Sequence, residues 1–386
     1  VRSAACVAVL GTTQTLGYAS TYYLPAILAA PIAADLRLPG WSVYACLSAA
    51  LVIAGVLSPW AGRRVDAGGG RLPLMLSSVL FAAGLAALSA AQGPWMLAAA
   101  WLLIGAGMGS GLYDVAFATA VGLYGRAARG VITGITLVAG FASTVGWPAM
   151  AVAETQLGWR GTCLGWAALH LCVGLPLHRL LPAASGRRAA PAEASAAPQR
   201  GLLVLLAGAF ALYALVGNGV AASLPDLLHI AGASPNAAIA AAALLGPAQV
   251  AARLLEFGLL RRVHPMWSAR AALLLHPVAA AALLLLGPAA APAFAILHGA
   301  GNGLLTISKG TLPLALFGPA GYGGRQGLIA VPVNAAAAGA PLLLSLLASG
   351  VGRAAFLVSA AISVAACGLL FLVNAVPGLS RQAGRH

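Results

Sequence analysis

The chain has 386 residues, of which 61% are hydrophobic and only 7% charged, with a net charge of +14 and a mean hydropathy of +0.94. A soluble domain carries about 25% charged residues, so the composition excludes a soluble fold and makes the bilayer the solvent. The basic residues are scattered in short segments, which argues against nucleic acid as a partner and for membrane orientation.

A spanning helix needs about 20 mostly apolar residues. Twelve segments meet this: 5–30, 40–61, 72–91, 94–123, 130–153, 160–180, 201–225, 237–260, 269–287, 292–317, 326–348 and 352–375. The first is expected to be a membrane helix, not a cleaved leader, because further spans follow it. Pro25, Pro148, Pro225, Pro247, Pro313, Pro332 and Pro341 lie inside spans or near their ends and predict bends. With a cytoplasmic N-terminus, the arginines outside span interiors fall on the cytoplasmic side, except Arg37, Arg160 and Arg353. Both termini are therefore expected in the cytoplasm, and the chain in the cytoplasmic (inner) membrane, multi-pass, against lipid. It is expected to act as a monomer. The five cysteines sit in apolar runs without CxxC spacing, so neither a disulfide framework nor a metal site is expected.

Residues 182–200, PAASGRRAAPAEASAAPQR, read as a flexible cytoplasmic linker between halves 1–181 and 201–386. The halves repeat in order. Leu24-Pro25 matches Leu224-Pro225, and Arg63-Arg64-Val65 matches Arg261-Arg262-Val263. Gly105-Ala106-Gly107-Met108-Gly109 matches Gly299-Ala300-Gly301-Asn302-Gly303. Parallel repeats of this kind occur in secondary transporters. The glycine runs lie inside apolar twenty-mers with no strand before them, so they predict close helix packing and not a dinucleotide loop.

Charge at the bilayer centre costs about 2.5–3.5 kcal/mol and faces a cavity or a partner. Four charged residues lie within spans: Asp114, Arg253, Glu256 and Lys309. Helical spacing groups polar residues around them. Gln249, Arg253 and Glu256 share a face of the eighth span. His298, Asn302, Thr306 and Lys309 share one on the tenth, and Gln14, Tyr18 and Tyr22 one on the first. Asn218 takes the repeat position of Tyr18. The alternatives are a structural Arg253–Glu256 ion pair, a structural partner for Asp114, and a Lys309 that snorkels to the interface. His170, His178, His264 and His276 are expected in loops or at the interface. No nucleophile–base set or His/Asp cluster lies at depth, so an enzyme is not expected.

Residues 62–74, GRRVDAGGGRLPL, resemble the signature loop of the major facilitator superfamily. Gly62, Asp66, Gly69 and Arg71 keep its spacing, while Ala67 and Gly70 depart from it. Gly158-Trp159-Arg160 before the sixth span is also common there. The resemblance implies an all-α membrane protein of twelve transmembrane helices in two pseudo-symmetric six-helix bundles. It implies that spans 1, 4, 7 and 10 line a cavity, and that Gly62, Asp66 and Arg71 gate it, with Asp66 at a helix N-terminus beside an arginine. Tyr124, Arg129 and Gly134 partly resemble the monocarboxylate / oxalate-formate antiporter branch, although Gly125 and Ala128 depart from its pattern. Thr13-Gln14-Thr15 stands where monocarboxylate transporters have an acid-Gly signature. Drug/proton antiporters usually carry an arginine where Trp101 stands and a Gly-Pro pair where Gly146-Trp147-Pro148 stands.

The resulting expectation is a secondary active transporter that moves a small organic anion, such as a monocarboxylate, by alternating access and a proton or counter-substrate gradient. Gln14, Tyr18, Tyr22, Asn218, Gln249, Arg253, His298, Asn302 and Lys309 would bind it, and Asp114 and Glu256 would carry protons. No cofactor is expected. The alternatives are efflux of drugs or other toxic compounds, and a receptor or scaffold that transports nothing.

Overall fold

A computed structural model gives the architecture. It describes residues 2–182 and 199–375, so nearly all of the expected linker, with Arg187 and Arg188, and the C-terminal Arg381 and Arg385 lie outside the described residues. The helices are α1 (Ser3–Ser20), α2 (Pro25–Asp35), α3 (Ser42–Gly68), α4 (Arg71–Ser89), α5 (Pro94–Gly111), α6 (Tyr113–Tyr124), α7 (Ala128–Ala139) and α8 (Ala142–Leu169). They continue with α9 (Leu175–Arg179), α10 (Gln199–Ile230), α11 (Pro235–Ala242), α12 (Leu245–Gly258), α13 (Pro265–Leu286), α14 (Ala291–Phe317), α15 (Tyr322–Val351) and α16 (Ala355–Ala375). No strand occurs among the described residues. Each of the twelve expected segments falls largely on helix. Among the described residues seven stretches are long and apolar enough to cross a membrane, several running through more than one helix. The chain is an all-α, multi-pass membrane protein.

The breaks have local causes. Pro25 lacks the N–H that would continue the first span, so α1 ends at Ser20 and α2 restarts on the proline. The fourth span breaks at Leu112 (φ −80, ψ −166), just after its glycine run. Gly158, at φ 65, parts the fifth span from the sixth within α8, and Ser223 kinks α10 two residues before Pro225. One expectation fails here. Residues 62–74 are not a loop: α3 continues through Asp66 to Gly68, and Gly69-Gly70 alone makes the turn. The stretch from Gly62 contains helix-forming Arg and Ala, and Gly69 at φ 76 supplies the left-handed stop.

Two compact units emerge. Unit 1 is residues 2–182 together with Phe317–Val331, and unit 2 is residues 199–316 and 332–375. α15 thus gives its first ten residues to unit 1, a grouping the expected halves 1–181 and 201–386 did not include. The repeated glycines do the same work in each unit. In unit 1 a Cβ on Gly105 or Gly109 of α5 would fall 2.6 or 2.7 Å from the Ala50 or Ala54 carbonyl of α3. In unit 2 a Cβ on Gly299 of α14 would fall 2.6 Å from the Leu245 carbonyl of α12, and one on Gly303 would meet Gln249. Gly107 and Gly301, on the next face, meet Phe81 of α4 and the Ala272 carbonyl of α13. Backbone contact at small residues is how membrane helices gain packing when lipid offers the same apolar surroundings. α12 shows the inverted pattern this solvent demands: Arg253 and Glu256 are buried, while Leu254, Leu255, Phe257 and Leu259 are exposed.

Candidate functional site

Unit 2 presents one clean polar face. From Gly301 to Leu314 every residue of α14 is buried except Asn302, Thr306 and Lys309, at i, i+4 and i+7. The small and apolar residues of that stretch pack inward, so the helix turns its polar stripe outward. Behind the stripe runs a buried chain of hydrogen bonds. The Tyr213 hydroxyl of α10 donates to Asn302 Oδ1 at 2.7 Å, and the Asn302 amide nitrogen lies 3.5 Å from His298 Nε2. His298 Nδ1 meets His276 Nδ1 of α13 at 3.0 Å, and His276 Nε2 meets the Ser359 hydroxyl of α16 at 3.0 Å. Two imidazole nitrogens in contact require one to donate and the other to accept, so the pair is held as complementary tautomers. His298 is fully buried and His276 is 1% exposed. His298 therefore does not open on the stripe as expected; it orients Asn302 from below.

His276, His170 and His178, expected in loops or at the interface, are all core residues. His170 Nε2 pairs with Ser20 at 2.8 Å and His178 Nδ1 with Ser78 at 2.9 Å. A hydroxyl from another helix pairs with one nitrogen of each ring, which lowers the cost of burying a polar side chain in a membrane core, while His178 Nε2 has no partner among the described residues. His264 lies at a helix end as expected and accepts from the Met266 N–H.

The charged pair of α12 is also internal. Arg253 is 6% exposed and donates to Gln249 Oε1 at 3.4 Å; Glu256 is 3% exposed and accepts the Ser268 hydroxyl at 3.0 Å. Asn218, on α10, is half-buried and donates to the Ala214 carbonyl at 2.7 Å, back-bonding on its own helix.

Unit 1 gathers a different chemistry. Tyr18, Tyr22, Tyr23 and Tyr113 are all half-buried, with ring centroids 4.7 to 6.4 Å apart, and Phe117 and Trp147 extend the cluster. Gln14 belongs elsewhere. It is 1% exposed, and its amide donates to the Gly111 carbonyl at 2.7 Å, where the fourth span breaks. A helix end leaves carbonyls without partners, and Gln14 caps one of them.

Two carboxylates of unit 1 meet the start of α15. Asp66 accepts the Gly323 and Gly324 N–H groups at 2.8 and 2.7 Å, an anion seated on a helix N-terminus. Asp114, in the first turn of α6, accepts the Gln326 amide at 2.9 Å. Gly62 permits the approach: a Cβ there would fall 2.5 Å from the Gly323 carbonyl carbon. Arg71, expected to share in the gate, opens α4. The arginine nearby is Arg325, which folds back on the carbonyls of Phe317, Gly318 and Ala320. At the far end of unit 1, Arg160 donates to the Ser89 and Ala91 carbonyls at 2.6 and 2.7 Å and to Asp35 at 2.8 Å, over the Trp159 ring.

No protein-family model and no curated protein matches the sequence. Solved structures do. The human organic anion transporter MFSD10 (TETRAN) superposes with a TM-score of 0.76 at 17% identity, over 96% of this chain and all of that one. The proton:xylose symporter XylE gives 0.76 at 13% identity, over 96% and 95%, and the E. coli fucose:proton symporter FucP gives 0.69 at 13%, over 95% and 98%. The fold is that of the major facilitator superfamily. At such identities the likeness carries the fold and no substrate, since one fold hosts many functions.

Sequence reasoning missed Tyr213, Tyr113, Gln326 and Ser359. Tyr113 had a signal, its place beside Asp114. Tyr213 and Ser359 are single polar residues in apolar runs, Gln326 follows Arg325 at a helix start, and only the packing reveals their partners.

Proposed function

We propose that the chain is a secondary transporter of a small organic anion, of the monocarboxylate kind, working by alternating access and driven by a proton or a counter-substrate. The observation that carries this reading is the polar stripe of α14. It keeps a cation, Lys309, with Asn302 and Thr306 on the one face of that helix left partly open. Lys309 supplies charge attraction, Thr306 and Asn302 supply hydrogen bonds, and the Tyr213–Asn302–His298 contacts fix the amide's orientation. Arg253 and Glu256, held by Gln249 and Ser268, form a second, internal charge set for binding and proton coupling. In unit 1, Asp114 is the other carboxylate for the coupling proton, Tyr18 and Tyr22 offer ring faces to the solute, and Gly62 and Asp66 hold the gate. Asn218 completes the polar set from α10. The division into halves at the linker, the cytoplasmic termini, the inner membrane and the monomeric state belong to the same proposal.

Uptake of labelled carboxylates into proteoliposomes, with and without a pH gradient, tests it. Saturable carboxylate uptake that responds to the gradient or to internal counter-substrate is expected. Transport of hydrophobic or cationic compounds with no carboxylate uptake overturns the anion reading in favour of efflux.

A further inference from the structure

The first turn of α15 is held on unit 1 by two carboxylates of different kind. Asp66 takes backbone N–H groups, which can only donate. Asp114 takes a side-chain amide, which can both donate and accept. Gln326 is fully buried, its Nε2 donates to Asp114 Oδ1, and its Oε1 has no hydrogen-bond partner among the described residues. A buried acceptor without a donor is costly, and an ionised carboxylate has no hydrogen to give it.

We propose that Asp114 and Gln326 form a proton-dependent clasp, so that a proton on Asp114 tightens the start of α15 on unit 1. The inference rests on the reading of Asp114 as a proton acceptor and gives that proton a mechanical consequence. Asp114 takes one proton from the aqueous phase and becomes a neutral acid; no other bond changes. The acid has an O–H donor for Gln326 Oε1 and still has a carbonyl oxygen for Nε2–H. One hydrogen bond becomes two, and no polar atom of the amide is left unmet. By linkage, whatever docks α15 favours the proton, and the proton favours docking.

The titratable groups close to this carboxyl include Tyr18 of α1, Tyr322 of α15 and, beside it in sequence, Tyr113 of α6, all uncharged phenols between pH 5 and 8. On the other elements packed against α6, the charged residues lie at helix ends or in the turn after α6: Arg63, Arg64 and Asp66 of α3, Arg71 of α4, Arg126 of the turn and Arg129 of α7; α1 and α5 have none. Asp66 also holds the start of α15 and therefore needs its own control. Gln326 is a positioning residue here: it acts through Asp114 and α15.

The test is hydrogen–deuterium exchange of the full chain in nanodiscs, following the peptide over residues 322–331 from pH 5 to 8 and correcting for the intrinsic exchange rate. Wild type is expected to gain protection on acidification by at least about fivefold, the lower end of usual site-to-site coupling. Asp114→Asn, whose amide pairs with Gln326 at every pH, is expected to be protected throughout and insensitive to pH. Gln326→Leu is expected to lose the pH response. Asp66→Asn is expected to lower protection at all pH values and keep the response. A wild-type segment indifferent to pH, or a Gln326→Leu variant with the wild-type response, overturns the clasp. This readout needs no transported solute, so its failure is separable from failure of the anion reading, which the uptake assay decides.

Discussion

Removing the Asp66 carboxylate is the sharpest perturbation of the α15 docking. Its two oxygens take the Gly323 and Gly324 N–H groups at 2.8 and 2.7 Å. Hydrogen bonds to a charged group contribute about 1.5–3 kcal/mol each, and the exposed setting of this carboxylate argues for the lower end. Adding a few tenths of a kcal/mol for a carboxylate on a helix dipole, Asp66→Ala costs about 3 kcal/mol of docking. That corresponds to roughly a hundredfold shift toward the undocked state. Asp66→Asn keeps one acceptor without its charge and should fall about midway. Gly62→Ala offers an independent route, because its Cβ would press on the Gly323 carbonyl with both carboxylate bonds intact. Spin labels at the exposed Arg64 and Ala320 report the separation by electron paramagnetic resonance. In Asp66→Ala and Gly62→Ala a second, longer distance should become populated. If both variants keep the wild-type distance distribution, the carboxylate does not hold α15 and the reasoning fails.

Further expectations follow from the packing. Gly105→Leu and Gly299→Leu each drive a side chain into a carbonyl of the neighbouring helix, and each should cost at least about 2 kcal/mol, read as a lower detergent melting temperature. An unchanged melt would mean the helices can separate at little cost. Gly217→Ala places a Cβ 2.7 Å from Asn302 Oδ1 and 3.1 Å from the Tyr213 ring. It should weaken solute binding about tenfold by tilting the amide, with little change in melting temperature. Arg160→Lys keeps a charge but cannot reach Ser89, Ala91 and Asp35 at once. A melting loss of a few degrees is expected, about 1 kcal/mol for this half-exposed group; equal stability of Lys and Arg would make the contacts incidental.

The sequence disclosed most where one residue type has one physical use in lipid. Glycines at fixed spacing in apolar helices predicted close packing, and Gly105, Gly109, Gly299 and Gly303 all touch a neighbouring backbone. Asp66 was legible because its spacing within the 62–74 signature named a helix N-terminus as its partner, although the stretch is helix and not loop. Helical periodicity alone made Asn302, Thr306 and Lys309 of the α14 stripe legible, but it could not show that His298, in the same register, is buried. Single polar residues were not. A histidine in an apolar run looks the same whether it borders the headgroups or meets Ser20, Ser78 or Ser359 in the core. Gln14 shared a helical face with Tyr18 and Tyr22, yet the break at Leu112 created a carbonyl that claimed it, and no periodicity in the first span could reveal a break in the fourth. Gln326 lay hidden for the same reason, since its partner is 212 residues away in sequence.

The repeat preserves packing and diverges in chemistry, and Lys309 is where that divergence matters most. Of 21 lysine and arginine residues it is the only lysine. Wherever a permanent charge suffices the chain uses arginine, so the choice at this position calls for a property arginine lacks. Lysine offers a compact, rotatable ammonium, whereas arginine's planar fork clamps a carboxylate through two bonds. A transporter must release what it binds, so the weaker and more mobile cation suits a solute that passes through. Lys309→Ala should raise the dissociation constant of the anion by about 10–100-fold, the loss of one charge-assisted bond. Lys309→Arg should bind at least as tightly as wild type but turn over more slowly, because the clamp holds the carboxylate after the protein has changed state. Binding by calorimetry and turnover in proteoliposomes separate these effects. An arginine variant with wild-type turnover would show that charge alone is used at this position, and an alanine variant with wild-type affinity would remove Lys309 from the site.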